Sequence, residues 1–263
     1  MKTKNNSRNN LTKRLIKVFK KILLILLNII LPKKCICCGK TLKHGYFCED
    51  CYKNKLEFIR EPYCKKCGSK IFVKNISIDK DKLICLDCLR NTNYFDKSLS
   101  VFIYNKTIAD TIYLFKMRNG FALSKFFYIF LNKKIKEFND KIDYIIPVPM
   151  SIKKLRKRGY NHTILLIREF EKNKNYKIIY DLLDKHKPTA DQKNLPYKLR
   201  LENVKNSFSV NKKYLDLVKN KNILIIDDVF TTGSTLNECA KTLKRKGATK
   251  VFTLTIAKTV VNR

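Results

Sequence analysis

Residues 223–235 read Ile-Leu-Ile-Ile-Asp-Asp-Val-Phe-Thr-Thr-Gly-Ser-Thr, and no other stretch limits the possible fold so tightly. Four consecutive apolar residues, Ile223 to Ile226, suit a strand buried on both faces, as in the middle of a parallel sheet. The run ends in two adjacent carboxylates, Asp227 and Asp228. Small hydroxyl residues around Gly233 follow, and a helical pattern starts near Thr235. A strand, tight loop and helix in this order present backbone N–H groups and hydroxyls to a phosphate at the helix N-terminus. The carboxylates fall at the carboxyl end of the strand, where an open α/β sheet binds its ligand. Side chains alternate along a strand, so the two acids point different ways. A ligand carrying both a phosphate and vicinal hydroxyls satisfies all these groups at once.

The pattern resembles the phosphoribosyl pyrophosphate (PRPP) loop of type I phosphoribosyltransferases. The resemblance implies that Asp227 and Asp228 are the catalytic acidic pair and bind the ribose hydroxyls. It implies equally that Thr231, Thr232, Gly233, Ser234 and Thr235 wrap the 5′-phosphate. A buried strand followed by an ordinary N-capped helix would require neither paired acids nor five loop residues of this kind.

From about Asn93 the rest of the chain alternates between strand and helix patterns. Strands are expected at Leu99–Tyr104, Asp143–Pro147, Asn222–Asp227 and Lys250–Ile256, and helices at Thr107–Arg118, Tyr160–Phe170 and Thr235–Lys246. This order predicts a parallel sheet with helices on both faces. The segment Lys185–Arg200 reads as a polar loop, and no nucleobase-recognition motif is visible.

A second segment belongs at the same sheet edge. The strand ending at Pro147 runs into Val148-Pro149-Met150-Ser151, and five of the six residues 153–158 are basic. Placed beside Asp227, the loop with Lys153, Arg156, Arg158 and Gly159 is expected to neutralise a pyrophosphate; a solvated charge run is the alternative. His162, opening the next helical pattern, is expected to be an ordinary helix residue, with general-base work as the alternative.

Nine of the ten cysteines lie between Cys35 and Cys88, mostly as Cys-x-x-Cys pairs. This spacing is typical of metal binding. Eight thiolates make two tetrahedral zinc sites, most simply Cys35, Cys38, Cys48 and Cys51, and Cys64, Cys67, Cys85 and Cys88. Such closed sites are structural, and their reduced ligands argue for the cytosol. Cys37 lies inside the first knuckle as a bystander or a substitute for Cys38, and Cys239 suits a small buried residue.

Residues 1–34 carry ten Lys and Arg and no acid, with Leu15, Val18, Phe19, Ile22, Ile25, Leu26 and Ile29 at helical spacing. The apolar stretch Ile22–Leu31 is short of the roughly 20 residues a membrane span requires. An amphipathic helix is expected, docked on the protein body or lying on a membrane surface. The organisation is therefore an N-terminal helix over 1–34, a double zinc-ribbon module over 35–92 and an α/β domain over 93–263. The net charge of +35, from 57 basic and 22 acidic residues, favours nucleic acid or an anionic membrane as partner. Only 11 of the 57 are Arg, a bias that an A/T-rich coding sequence would also produce, so the charge alone does not decide.

The motifs occur in one order: Cys-x-x-Cys pairs, Pro147-Val148-Pro149, Lys157-Arg158-Gly159-Tyr160-Asn161, Thr189-x-x-Gln192, Leu195, Arg200, Asn203-Val204, and the Asp227–Thr235 loop. This order is similar to that of the ComF/ComFC family of bacterial proteins linked to natural competence, over roughly residues 35–260. The resemblance implies a zinc ribbon fused to a phosphoribosyltransferase-like domain. It also implies cytoplasmic handling of incoming single-stranded DNA beside a helicase-like protein and other DNA-processing competence proteins; peripheral contact of the N-terminal helix with lipid would put that site at the membrane's inner face. His162 departs from the glutamine many relatives carry there. Three readings follow: a competence factor handling single strands, a phosphoribosyltransferase using Mg²⁺–PRPP with an unidentified base or amine acceptor, and a PRPP-sensing adaptor without catalysis.

Overall fold

The computed structural model describes residues 18–19, 32–71, 83–117, 120–172, 176–186 and 197–260. The chain divides into two compact units, residues 1–55 and 56–263. The amphipathic helix expected within residues 1–34 lies outside the described residues, apart from the helical and exposed Val18 and Phe19.

In the first unit, β1 (Lys33–Lys34) pairs antiparallel with β2 (Thr41–Leu42), and helix α1 (Glu49–Lys55) follows. The turn between the strands is a knuckle: Cys35 N–H donates to Lys40 O at 2.8 Å and Gly39 N–H to Cys35 O at 2.9 Å.

The second unit is built on five strands: β3 (Lys97–Ile103), β4 (Tyr144–Pro147), β5 (Lys177–Ile178), β8 (Asn222–Phe230) and β9 (Lys250–Lys258). Their order is β3-β9-β8-β4-β5, and every neighbouring pair is parallel. Strands β6 (Leu183–Lys185) and β7 (Phe208–Val210) form a separate antiparallel pair. The helices of five or more residues among the described residues of this unit are α2 (Leu86–Arg90), α3 (Lys106–Met117), α4 (Gly120–Lys134), α5 (Ile152–Arg158), α6 (His162–Glu171), α7 (Tyr197–Val204) and α8 (Ser234–Arg245). The expected α/β class and parallel sheet are therefore present.

Ile223, Leu224, Ile225 and Ile226 are fully buried because β8 is central and covered on both faces. Ile223 and Ile225 join one apolar cluster with Leu236, Cys239, Ala240 and Leu243, which recur at helical spacing along α8. Burying each leucine stabilises the fold by roughly 2 kcal/mol. The alternating residues Leu224 and Ile226 face the opposite side, where α4 and α6 meet the sheet. That face carries an aromatic cluster in which Phe130 stacks against Phe58, Phe102 and Phe126, and Phe127 against Phe115.

Strand β3 lies at the edge of the sheet, yet its outer backbone groups are taken. Ile59 N–H donates to Val101 O at 2.9 Å, Ile103 N–H to Glu57 O at 2.8 Å, and Ser98 N–H to Lys66 O at 2.8 Å. The last bond seats the second cysteine knuckle on the sheet edge. Gly68 is required there, since a Cβ would stand 2.8 Å from Ser98 O.

Register fixes the ligand edge. Pro147 of β4 pairs with Ile226 of β8, and Val148 N–H still donates to Ile226 O at 3.0 Å. The exit from β4 thus lies level with Asp227. β8 continues past the expected end, pairing Val229 with Ala257 and Phe230 with Lys258, so Asp228 as well as Asp227 sits within the strand.

Candidate functional site

Asp228 is the most constrained group at the carboxyl edge. Its Oδ1 accepts Val229 N–H at 2.6 Å, and its Oδ2 accepts from His162 Nε2 at 2.9 Å. The same Oδ2 forms an ion pair with Lys116, the penultimate residue of α3. Asp227 is half-buried, and its Oδ1 accepts Asp228 N–H at 2.8 Å.

His162 opens α6. Asn161 caps that helix, accepting Thr163 N–H at 3.0 Å through its side-chain oxygen. The His162 ring is buried against Phe115, and its Nδ1 lies 3.3 Å from the Arg158 guanidinium. A guanidinium only donates, so Nδ1 accepts and the ring proton sits on Nε2, facing the carboxylate. A neutral imidazole satisfies both contacts, and burial holds its pKa below the ordinary value against the pull of Asp228. The Tyr160 hydroxyl, 3.0 Å from the carbonyls of both Phe115 and Lys116, holds the end of α3 at this site.

The network Arg158–His162–Asp228–Lys116 separates the two acids chemically. Burial opposes the charge on Asp228, but Lys116 and then His162 overcome it and hold the carboxyl well below the usual range. Asp227 lacks an ion-pair partner among the described residues. Burial first, and the adjacent Asp228 charge second, push it up to about 8. The two acids are thus pushed apart, Asp228 towards its charged form and Asp227 towards its neutral form.

Residues Thr231 to Gly233 connect β8 to α8, giving the expected strand–loop–helix. Gly233 is left-handed at φ +75° and begins α8 with no side-chain cap on the helix N-terminus. Thr232 Oγ1 and Ser234 Oγ are 2.6 Å apart, and Ser234 N–H reaches Thr232 Oγ1 at 3.3 Å. Thr259 Oγ1 donates to Thr231 O at 3.2 Å, tying the loop to the end of β9. Beneath the loop the Phe230 ring meets Phe95 edge-on at 6.0 Å, with buried Lys258 3.2 Å from the ring centroid.

The basic segment after β4 differs from expectation: Lys153, Arg156 and Arg158 lie on helix α5, not in a loop. Lys, Arg and Leu are strong helix formers, and Gly159, at φ +77°, terminates the helix. Lys153 and Arg156 are exposed, whereas Arg158 joins the buried network through His162. His162 is not the ordinary helix residue its local sequence suggests. Lys116 escaped notice because nothing in its own neighbourhood marks it; its partner is 112 positions away (228 − 116).

The cysteines fall into the two expected sets. The sulfurs of Cys35, Cys38, Cys48 and Cys51 lie within 4.8 Å of one another, as do those of Cys64, Cys67, Cys85 and Cys88. Backbone N–H groups point at the sulfurs: Cys48 to Cys35 at 3.4 Å, and Cys85 to Cys64 at 3.3 Å. Four converging thiolates supported in this way fit a closed structural zinc site. Cys37 is exposed and outside the first set. Cys64 and Cys67 belong to the same apolar cluster as Phe230 and Leu236. The segment leaving the second set is bound to α8, with Tyr94 N–H donating to Asn237 Oδ1 at 2.6 Å and Asn237 Nδ2 to Thr92 O at 3.2 Å.

Comparison with known proteins agrees with this geometry. A double zinc ribbon domain model matches residues 26–89, and a phosphoribosyl transferase domain model matches residues 178–260. Competence protein F of Haemophilus influenzae is 30% identical over 232 residues, covering 83% of this chain and 93% of that protein. The chain belongs to the ComF/ComFC family. Competence protein ComFC of Streptococcus pneumoniae is 27% identical over 245 residues, covering 86% of this chain and 100% of its own. DNA utilization protein YhgH of Escherichia coli is 25% identical over 240 residues, covering 88% and 100%. The family's double zinc ribbon spans all eight clustered cysteines here, whereas the transferase match begins after Lys116, Arg158 and His162.

Proposed function

We propose that this ComF/ComFC protein binds PRPP at the carboxyl edge of its sheet and supports the handling of incoming single-stranded DNA during natural transformation. The observation that carries the PRPP reading is the entry of Thr231–Ser234 into a helix N-terminus whose N-cap, Gly233, has no side chain, directly beyond the half-buried Asp227 and the buried Asp228. In this reading Thr231, Thr232, Gly233, Ser234 and Thr235 take the 5′-phosphate, and Asp227 and Asp228 serve the ribose hydroxyls. Arg158, with the exposed Lys153 and Arg156, lies on the side assigned to pyrophosphate.

Magnesium prefers oxygen ligands. His162 aims its Nε2–H at Asp228, so only the aspartate oxygens suit the ion, and most of its ligands would come from PRPP. Asp227 and Asp228 would hold the ion together with its ligand, and Mg²⁺ would supply positive charge that offsets the pyrophosphate.

A second reading, phosphoribosyl transfer to a base or amine, is favoured by the buried Arg158–His162–Asp228–Lys116 network. Loss of pyrophosphate leaves positive charge on the ribose, and a permanently ionised Asp228 beside it would stabilise that charge. The DNA role rests on the competence and DNA-utilization relatives together with the strongly basic composition. Partners of this class are single strands, a helicase-like protein and other competence proteins. Reduced thiolates suit a cytoplasmic site of action; no helix among the described residues is long and apolar enough to cross a membrane.

Calorimetric titration of Mg²⁺–PRPP into the zinc-loaded protein tests the site. Binding in the micromolar range is expected, weakened about tenfold or more in Asp227→Ala/Asp228→Ala. A folded wild type that takes up no PRPP would remove both the transferase and the sensor readings. Binding of single-stranded oligonucleotides that falls steeply with salt is expected for the DNA role.

A further inference from the structure

The role given to Asp228 conflicts with its hydrogen bonds. A carboxylate offers about four acceptor positions. Val229 N–H, His162 Nε2 and the Lys116 ammonium already occupy three of them on Asp228. A sugar hydroxyl meets a carboxylate committed almost entirely to the protein, while its neighbour Asp227 holds one such bond, from Asp228 N–H.

The three donors on Asp228 are not equally fixed. Val229 N–H belongs to the strand. The imidazole is locked by Phe115 on its face and Arg158 on its far nitrogen. Lys116 is different. Its backbone is held by the Tyr160 hydroxyl, but its ammonium sits on a flexible four-carbon stem that can swing several ångströms without moving α3. Its side chain is 17% exposed, so it lies at the rim of the site instead of under it. A pyrophosphate carries more negative charge than a carboxylate, and in a partly buried site charge number decides which partner a mobile cation prefers.

We propose that Lys116 is an exchangeable counter-cation: it neutralises Asp228 in the ligand-free site and transfers to the pyrophosphate when PRPP binds, releasing Asp228 for the sugar. The inference rests on the PRPP reading and adds to it a ligand residue that lies outside every motif of the sequence. Asp228 keeps the hydrogen bonds from His162 Nε2 and Val229 N–H throughout, so the released carboxylate stays hydrogen-bonded after the transfer. The device couples the two ends of the ligand: without pyrophosphate, Asp228 remains blocked, and ribose 5-phosphate binds poorly.

The test compares Mg²⁺–PRPP with ribose 5-phosphate by calorimetry in wild type, Lys116→Met and Lys116→Arg, with zinc content and melting as folding controls. Lys116→Met is expected to bind PRPP at least tenfold more weakly and ribose 5-phosphate as well as or better than wild type. Lys116→Arg is expected to retain most PRPP affinity. Parallel loss of both ligands in Lys116→Met, or no change in either, would make Lys116 a structural partner of Asp228 and overturn the inference alone. A wild type that binds no PRPP overturns the site reading and this inference with it. If Lys116→Met does not fold, the lysine side-chain NMR signal of Lys116 in wild type decides. It is expected to shift with Mg²⁺–PRPP and not with ribose 5-phosphate, and a signal indifferent to PRPP refutes the exchange.

Discussion

The Nε2 of His162 stands 2.9 Å from Oδ2 of Asp228, joining the first residue of α6 to the end of the central strand. Removing the imidazole withdraws a donor from a buried carboxylate. His162→Ala is expected to destabilise the protein by roughly 2 kcal/mol, the usual range for a hydrogen bond to a charged group. His162→Gln, which restores an N–H, should recover part of that. Urea denaturation of the three proteins checks both statements.

The separation of the acid pair predicts a pH dependence. Asp227 titrates at about 8 when folded, against an ordinary value of 3.8. Between these values the unfolded chain has lost a proton that the folded chain retains, so stability falls as pH rises through this window, by up to about 1.4 kcal/mol per pH unit for one proton. Asp228 acts with the opposite sign. Its folded pKa is depressed, so its contribution is present above the ordinary carboxylate range and disappears in acid. Asp227→Asn is therefore expected to be more stable than wild type at pH 8 and little different at pH 4. Equal urea midpoints at the two pH values would contradict the assignment of the proton.

At Gly233 the loop leaves no space for a side chain. A Cβ there would approach the Phe230 ring to 2.4 Å, and the backbone is left-handed at φ +75°. Phe230 cannot turn aside readily, since Phe95 and Lys258 confine it. Gly233→Ala is expected to cost about 1–3 kcal/mol and to displace the phosphate loop. A lowered melting temperature together with weakened PRPP binding is the expected pair of results.

The two cysteine sets should respond differently to metal loss. Metal analysis is expected to return two zinc ions per chain. Cys38→Ser should remove one and leave the melting of the sheet unit nearly unchanged. Cys67→Ser should remove the other and lower that melting, because Cys64 and Cys67 share their apolar cluster with Phe230 and Leu236. Identical melting curves for the two variants would show that the second set is no more embedded than the first.

Legibility in the sequence followed the range of the forces involved. Strand β8, strand β9 and helix α8 were readable because a buried apolar run, a glycine at the turn and a helical stripe are local signals. Helix α4 was not read at all. It packs against α3, α6 and the sheet, so its apolar residues spread around the axis and its aromatic residues blur the helical period. Helix α5 is not distinguishable from a loop by sequence, because two prolines precede a run of charge, a pattern shared by a solvated loop and a short basic helix. At the site, the residues contiguous with Asp227 were legible. Lys116 and the role of His162 were not, because they exist only through contacts across the fold. Most of the segment read as a polar loop, Lys185–Arg200, lies outside the described residues; its end, from Tyr197, is helical.

The occupied outer edge of β3 bears on self-association. A free strand edge is a template on which another chain can add a strand. Here residues 57–59 and the backbone of Lys66 fill one side of the sheet, and on the other side β5 offers only two residues. The second knuckle thus shields a sheet of long apolar strands from recruiting a second sheet. An added strand at β3 would first have to dislodge the chain around Lys66, two residues from Cys64.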